Sequence, residues 1–249
     1  MSSLSKEELL FMAKACEQAD RSQDMLFYAK QLILQASEPN IEERNLFSLA
    51  YRLNISEKKT SWRLASSLEN KELLKEHPHA NLVVQLRKTI EAELKELCSD
   101  CFDFIDNNLL KSYHTAQSRV FFTKLKGDNY RYLIECGNEE ERSEVIEKCV
   151  EAYEQATEIA EAELKATDQV RLRLALHFAI FCSDMLGNGA MCKQIAKKAF
   201  DDALEKIDEI DDEDYKETTL TMQLLRDNIV LWTADPEEEG EPEQAEQAN

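Results

Sequence analysis

Apolar residues recur at spacings of three and four almost throughout the chain, as at Leu176, Ile180 and Phe181 or at Leu220, Leu224, Leu225 and Leu231. That period lines one face of an α-helix. Strand-like alternation is not sustained anywhere. The pattern is interrupted at Ser22, at residues 37–40, 77–80, 112–116 and 137–139, near 167–168, and at 187–189 and 210–214, which predicts nine helices. Short connections between long helices favour antiparallel neighbours, so the expected fold is all-α: nine antiparallel helices in a curved, concave bundle. Of four prolines none lies between Pro78 and Pro236, so nothing in that stretch forces a helix to stop. No internal repeat is seen at a tetratricopeptide-like period of about 34 residues. Helical patterning ends at residue 234. The segment 235–249 carries Asp235, Glu237, Glu238, Glu239, Glu241, Glu243 and Glu246 without a basic residue, and is expected to be a disordered acidic tail behind a helical domain spanning 1–234.

With 43% hydrophobic residues in 249, the chain has ample material for a core. The formal charge is −20, from 50 acidic and 30 basic residues, which disfavours nucleic-acid phosphates and anionic membranes as partners of the whole surface. Any phosphate site must therefore be a local basic island. No apolar run approaches the ~20 residues that span a bilayer, so membrane insertion is not expected. Seven scattered cysteines in a chain without a signal-peptide pattern read as reduced thiols in the cytoplasm or nucleus.

Motifs for catalysis are missing: there is no glycine-rich phosphate loop, nucleophile elbow or HExxH, and no cofactor is expected. Cys98 and Cys101 sit in a helical stretch without a second pair or a nearby histidine, which favours buried packing over zinc or redox chemistry. His77 and His79 flank Pro78, and His114 sits in another break; none has the spacing of a metal site. More informative is the helix around residue 128, where Lys124, Asp128, Arg131 and Glu135 share one face. By spacing alone this is a solvated ladder of alternating charge. On the third helix Asn45, Arg52 and Lys59 repeat every seven residues and likewise share a face. In the seventh, Leu176, His177, Ile180 and Asp184 do so, and in the ninth Leu224, Asp227, Asn228, Leu231 and Trp232. Core packing explains these last two faces, but a mixed apolar and amide wall is also what an extended peptide needs.

Three stretches carry a family resemblance. Residues 215–235 (YKETTLTMQLLRDNIVLWTAD) closely resemble the C-terminal signature of the 14-3-3 proteins, 44–52 (RNLFSLAYR) resemble the third-helix signature of that family, and 119–133 (RVFFTKLKGDNYRYL) its fifth helix. The likeness runs in order from about Lys6 to Asp235. It implies an adaptor, not an enzyme, that grips phosphoserine or phosphothreonine segments of client proteins in a groove built from helices 3, 5, 7 and 9. By that resemblance Arg52, Lys59, Arg131 and Tyr132 hold the phosphate, with Asp128 and Glu135 orienting Arg131. Lys124 and Asn228 hold the peptide backbone, and Leu176, Ile180, Leu224, Leu231 and Trp232 form the apolar wall, with Asp184 where glutamate is usual.

Departures from the family pattern matter. Arg52 followed by Lys59 reverses the usual order of lysine and arginine, which moves the planar fork from one position to the other. His177 replaces a backbone-binding asparagine, and Arg173 replaces a glycine. These changes support a rival reading, a helical scaffold that binds unphosphorylated partners through the same groove. The resemblance also implies a homodimer, or a heterodimer with a related protomer, made mainly by residues 1–95 and using Ala15, Ala19, Arg21, Asp24, Ser61, Ala65, Leu86, Thr89 and Glu93, with Arg21 opposite Glu93 across the interface. Ser61 matches a phosphorylation site at that interface, where added charge repels the partner. Leu86 stands in place of a tyrosine and Thr89 in place of a lysine that pairs with the position of Asp24. One polar anchor is thus absent while apolar burial remains, and a weaker or partner-selective dimer is expected; a tight homodimer at nanomolar concentration in sedimentation equilibrium would contradict the reading.

Overall fold

The computed structural model describes residues 4–71, 77–113, 115–137 and 139–234; the predicted tail at 235–249 and His114 lie outside them. Among the described residues there are nine helices and no strand. They are α1 (Lys6–Gln18), α2 (Ser22–Gln35), α3 (Ile41–Asn70), α4 (Ala80–Phe104), α5 (Ala116–Cys136), α6 (Glu139–Glu163), α7 (Gln169–Asp184), α8 (Gly189–Leu204) and α9 (Asp212–Ala234). A π-helical turn, Ile105–Leu109, and a last turn, Leu110–Ser112, prolong α4, and a 3₁₀ turn, Ile207–Glu209, precedes α9. The all-α fold expected from the apolar period is what the chain adopts.

Side chains that cap the orphan N–H groups mark where helices begin. Ser5 and Glu8 form a reciprocal capping box at α1, and Asn40 and Glu43 form another at α3. Thr115 accepts from the Ser118 N–H at α5, Asp168 from Val170 at α7 and Asn188 from Met191 at α8. Between α7 and α8, Gly187 takes φ +60°, a left-handed backbone that a β-carbon disfavours. The π-helical turn was not legible in the sequence; within it Ile105 and Leu109 are both fully buried.

The helices divide into two compact units, Met1–Glu163 and Leu164–Asn249. In the first, α1 and α2 pair, α3 packs on α2 and α4, and α5 lies against α3, α4 and α6. Leu9, Ala13, Met25, Leu32 and Leu46 bury one cluster; Phe47, Tyr51, Ile105, Leu109 and Phe122 a second; Ile55, Ala65, Ile90, Leu94 and Cys98 a third. A polar clasp joins three helices: Lys30 of α2 meets Asp100 of α4 at 2.7 and 2.5 Å, and the buried Tyr51 of α3 donates its hydroxyl to the same carboxylate at 2.7 Å. In the second unit α7, α8 and α9 pack on one another, and Thr218 and Thr221 of α9 bond to Gln169 at the start of α7.

All seven cysteines are buried free thiols. Cys98 donates weakly to the Asn129 carbonyl at 3.9 Å, and the Asn129 amide reaches the Cys101 sulfur at 3.6 Å, so this pair fills the seam between α4 and α5. Burial pushes the Cys98 thiol up to about 12 and that of Cys136 to about 11, from an ordinary 9.0. Both therefore stay neutral in the fold where an unfolded chain ionises them. Their stabilising contribution is complete below pH 9 and is lost as pH rises towards the folded values. Urea titrations at pH 8, 9, 10 and 11 are accordingly expected to give a midpoint that holds to about pH 9 and then falls.

Candidate functional site

Helix α5 presents the charged face read from its sequence, and the first unit gathers the expected phosphate residues around one side chain, Tyr132. Its phenol is pushed above the ordinary value first by burial and then by the Asp128 carboxylate, while Arg52 and Arg131 pull it down and Glu135 adds a smaller upward push. The Lys59 ammonium lies 4.8 Å from the centre of the Tyr132 ring, a cation–π contact. Arg52, Lys59, Arg131 and Tyr132 thus converge where α3 meets α5. The sevenfold spacing on α3 achieves this by placing Arg52 and Lys59 on the same face, two turns apart.

Carboxylates accompany these cations. Glu135 accepts from Lys59 Nζ at 2.5 Å, a pair only 13% and 21% exposed, and lies 3.6 Å from Arg63. The charge ladder expected along α5 therefore bends: its last carboxylate bridges across to α3. One turn before Arg131, Asp128 accepts Lys124 Nζ at 2.6 Å through Oδ2, and the Tyr153 hydroxyl of α6 at 2.8 Å through Oδ1. The Lys124 side chain is only 10% exposed, its ammonium held by this bond at the end of a largely covered stem. Arg52, by contrast, is exposed and has no carboxylate partner among the described residues.

Sequence reading did not single out Tyr153, Gly127 or Arg63. A β-carbon on Gly127 would come within 3.0 Å of the Tyr153 ring, so the glycine in mid-helix is what lets α6 approach α5 at this point. That glycine, at a position where alanine would favour the helix, was the available signal.

In the second unit Leu176 is buried, while His177 and Ile180 are half-buried and Asp184 is exposed on α7. On α9 the apolar period splits: Leu225 is fully buried, whereas Leu220, Leu224 and Leu231 stand 58%, 44% and 66% exposed along one outer stripe. Asn228 lies on that stripe with its amide donating to the Leu224 carbonyl at 2.8 Å, and Trp232 is half-buried.

Of the residues expected at a dimer face, Ala19, Arg21, Ser61, Leu86 and Thr89 are exposed and Ala15, Asp24 and Glu93 half-buried. Ala65 is different, since it packs within its own chain's core with Ile55, Ile90 and Leu94. Arg21 already holds Asp24 at 2.5 Å, and Glu93 holds Lys58, within this chain.

The family model of the 14-3-3 proteins matches residues 12–233. The chain is 42% identical to 14-3-3 protein 3 of Entamoeba histolytica over 236 residues, covering 94% of this chain and 98% of that protein. It is 40% identical to 14-3-3-like protein F of Nicotiana tabacum over 99% of this chain and 97% of that one, and 40% identical to Protein BMH1 of Saccharomyces cerevisiae over 97% and 91%.

Glu135 supplies the anion that Lys59 meets within the fold. Glu135→Gln is expected to lower stability by about 1–3 kcal/mol, because Lys59 keeps its charge but loses its carboxylate. The same variant is expected to gain more from added inorganic phosphate than the parent does, which paired thermal melts with and without phosphate will show.

Proposed function

Because the chain belongs to the 14-3-3 family of non-enzymatic adaptors, we propose that it binds client segments carrying phosphoserine or phosphothreonine, and that Arg52, Lys59, Arg131 and Tyr132 hold the phosphate. The observation that carries this reading is the convergence of three cations around the Tyr132 phenol in a chain whose net charge is −20. A phosphate ester brings nearly two negative charges and three acceptor oxygens, which match two guanidinium forks, an ammonium and a hydroxyl. An unmodified serine offers those cations nothing comparable. Each charge-assisted bond contributes about 1.5–3 kcal/mol, so the phosphate supplies a large part of the affinity.

Lys124 and Asn228 are the proposed donors to the peptide backbone, and the leucines of α9 the proposed contacts for its side chains. Leu220, Leu224 and Leu231, exposed together along one face of α9, support that role as a contiguous apolar surface. Membership of the family implies client binding and dimerisation; two protomers would present two grooves, and a doubly phosphorylated client would gain avidity through effective concentration.

The exposed leucine stripe also suits the rival reading, docking of an unmodified segment. Titration of one fluorescent peptide, with arginine upstream of a phosphoserine and proline two residues after it, against its unphosphorylated twin separates the two. Tight binding of the phosphorylated form alone is expected, and Arg131→Ala is expected to weaken it by about tenfold or more. Equal binding of both peptides would support the scaffold role instead.

A further inference from the structure

We propose that Tyr153 of α6 is a positioning residue for client binding: its hydroxyl fixes the Asp128 carboxylate, which in turn fixes the Lys124 ammonium that meets the client backbone. The inference rests on the phosphopeptide reading for its functional consequence, and on geometry alone for the relay itself. Tyr153 is fully buried, and its hydroxyl donates to Asp128 Oδ1 at 2.8 Å. Asp128 spends its other oxygen on Lys124 Nζ at 2.6 Å. One carboxylate is thereby held from both sides, by a rigid aromatic behind it and by the functional cation in front.

The ring itself has little freedom. It lies so close to the backbone at Gly127 that an added β-carbon would stand 3.0 Å from it, and one turn earlier on α6 the Cys149 thiol donates to the Gly127 carbonyl at 3.3 Å. The residue immediately before Asp128 is therefore clamped against α6 by ring contact and by a weak hydrogen bond. A phenol has only two side-chain torsions, and both are fixed by burial, so the hydroxyl meets the carboxylate at no further entropic cost. Lys124 has four torsions; burial restrains its stem, and Asp128 fixes the ammonium at its end. A donor locked in place before the peptide arrives binds it more tightly than one that must be ordered on binding.

The test compares the full chain with Tyr153→Phe, Asp128→Asn and the double variant, using two readouts. Tyr153→Phe keeps the ring on Gly127 and deletes only the hydroxyl. In fluorescence titrations it is expected to weaken phosphopeptide binding about three- to tenfold, and the double variant is expected to bind no worse than Asp128→Asn alone, because the hydroxyl acts through that carboxylate. In the ligand-free protein, acylation of Lys124 followed by mass spectrometry is expected to run about threefold faster in Tyr153→Phe than in the parent. Unchanged affinity together with unchanged Lys124 labelling would overturn the inference, as would losses that multiply in the double variant. If the parent does not distinguish the phosphorylated peptide from its twin, the phosphopeptide reading fails, while the labelling rates still decide whether Tyr153 positions Lys124.

Discussion

Cations gathered in one place repel one another, and the first unit depends on how that repulsion is offset. Two like charges 4 Å apart cost about 4 kcal/mol at a near-surface effective dielectric of 20, an appreciable fraction of the stability of a typical domain. Glu135 against Lys59 and Asp128 against Lys124 supply the offset from within, each pair mostly shielded from solvent. Arg52 is left exposed on α3. Cations offset in this way do not push the helices apart. The overall excess of carboxylates makes such a gathering of cations a local exception on an acidic chain.

Much of this arrangement is legible in the chain because helices are periodic. Arg52 and Lys59 share a face by sevenfold spacing, Lys124, Asp128, Arg131 and Glu135 share another, and the apolar period alone yields nine helices. Contacts between elements were not legible in that way. That Glu135 would turn across to Lys59, that Arg63 would join it, and that Tyr153 would stand behind Asp128 all depend on which helices become neighbours and at what separation. The α9 leucines illustrate the same limit: Leu224 and Leu225 satisfy the helical pattern equally well, yet one is 44% exposed and the other fully buried. The family resemblance added an expectation that periodicity could not give, by grouping Arg52 and Lys59 of α3 with Arg131 and Tyr132 of α5.

The surface expected to meet a second protomer shows a related economy. Its charged groups are already matched inside the chain, Arg21 with Asp24 and Lys58 with Glu93, so forming the cross-interface pair of Arg21 with Glu93 means exchanging existing partners. An exchange of that kind sets orientation more than it adds affinity. Phe11 at 70% exposure on α1, with Leu64 and Leu86 at 63% and 52% on α3 and α4, leaves apolar area uncovered within the chain. Ala65, packed in the core of its own chain, has no such area to offer.

The burial of all seven thiols has a practical side. No native sulfur competes for a surface-directed probe, so a single cysteine introduced on an exposed helix face becomes a unique attachment point for a fluorophore, spin label or crosslinker. Conversely, reagent uptake by the native thiols reports breathing of the interior and not surface chemistry. Because those thiols lie in both units, peptide-resolved labelling would show which unit opens first, making the protein its own reporter of local unfolding.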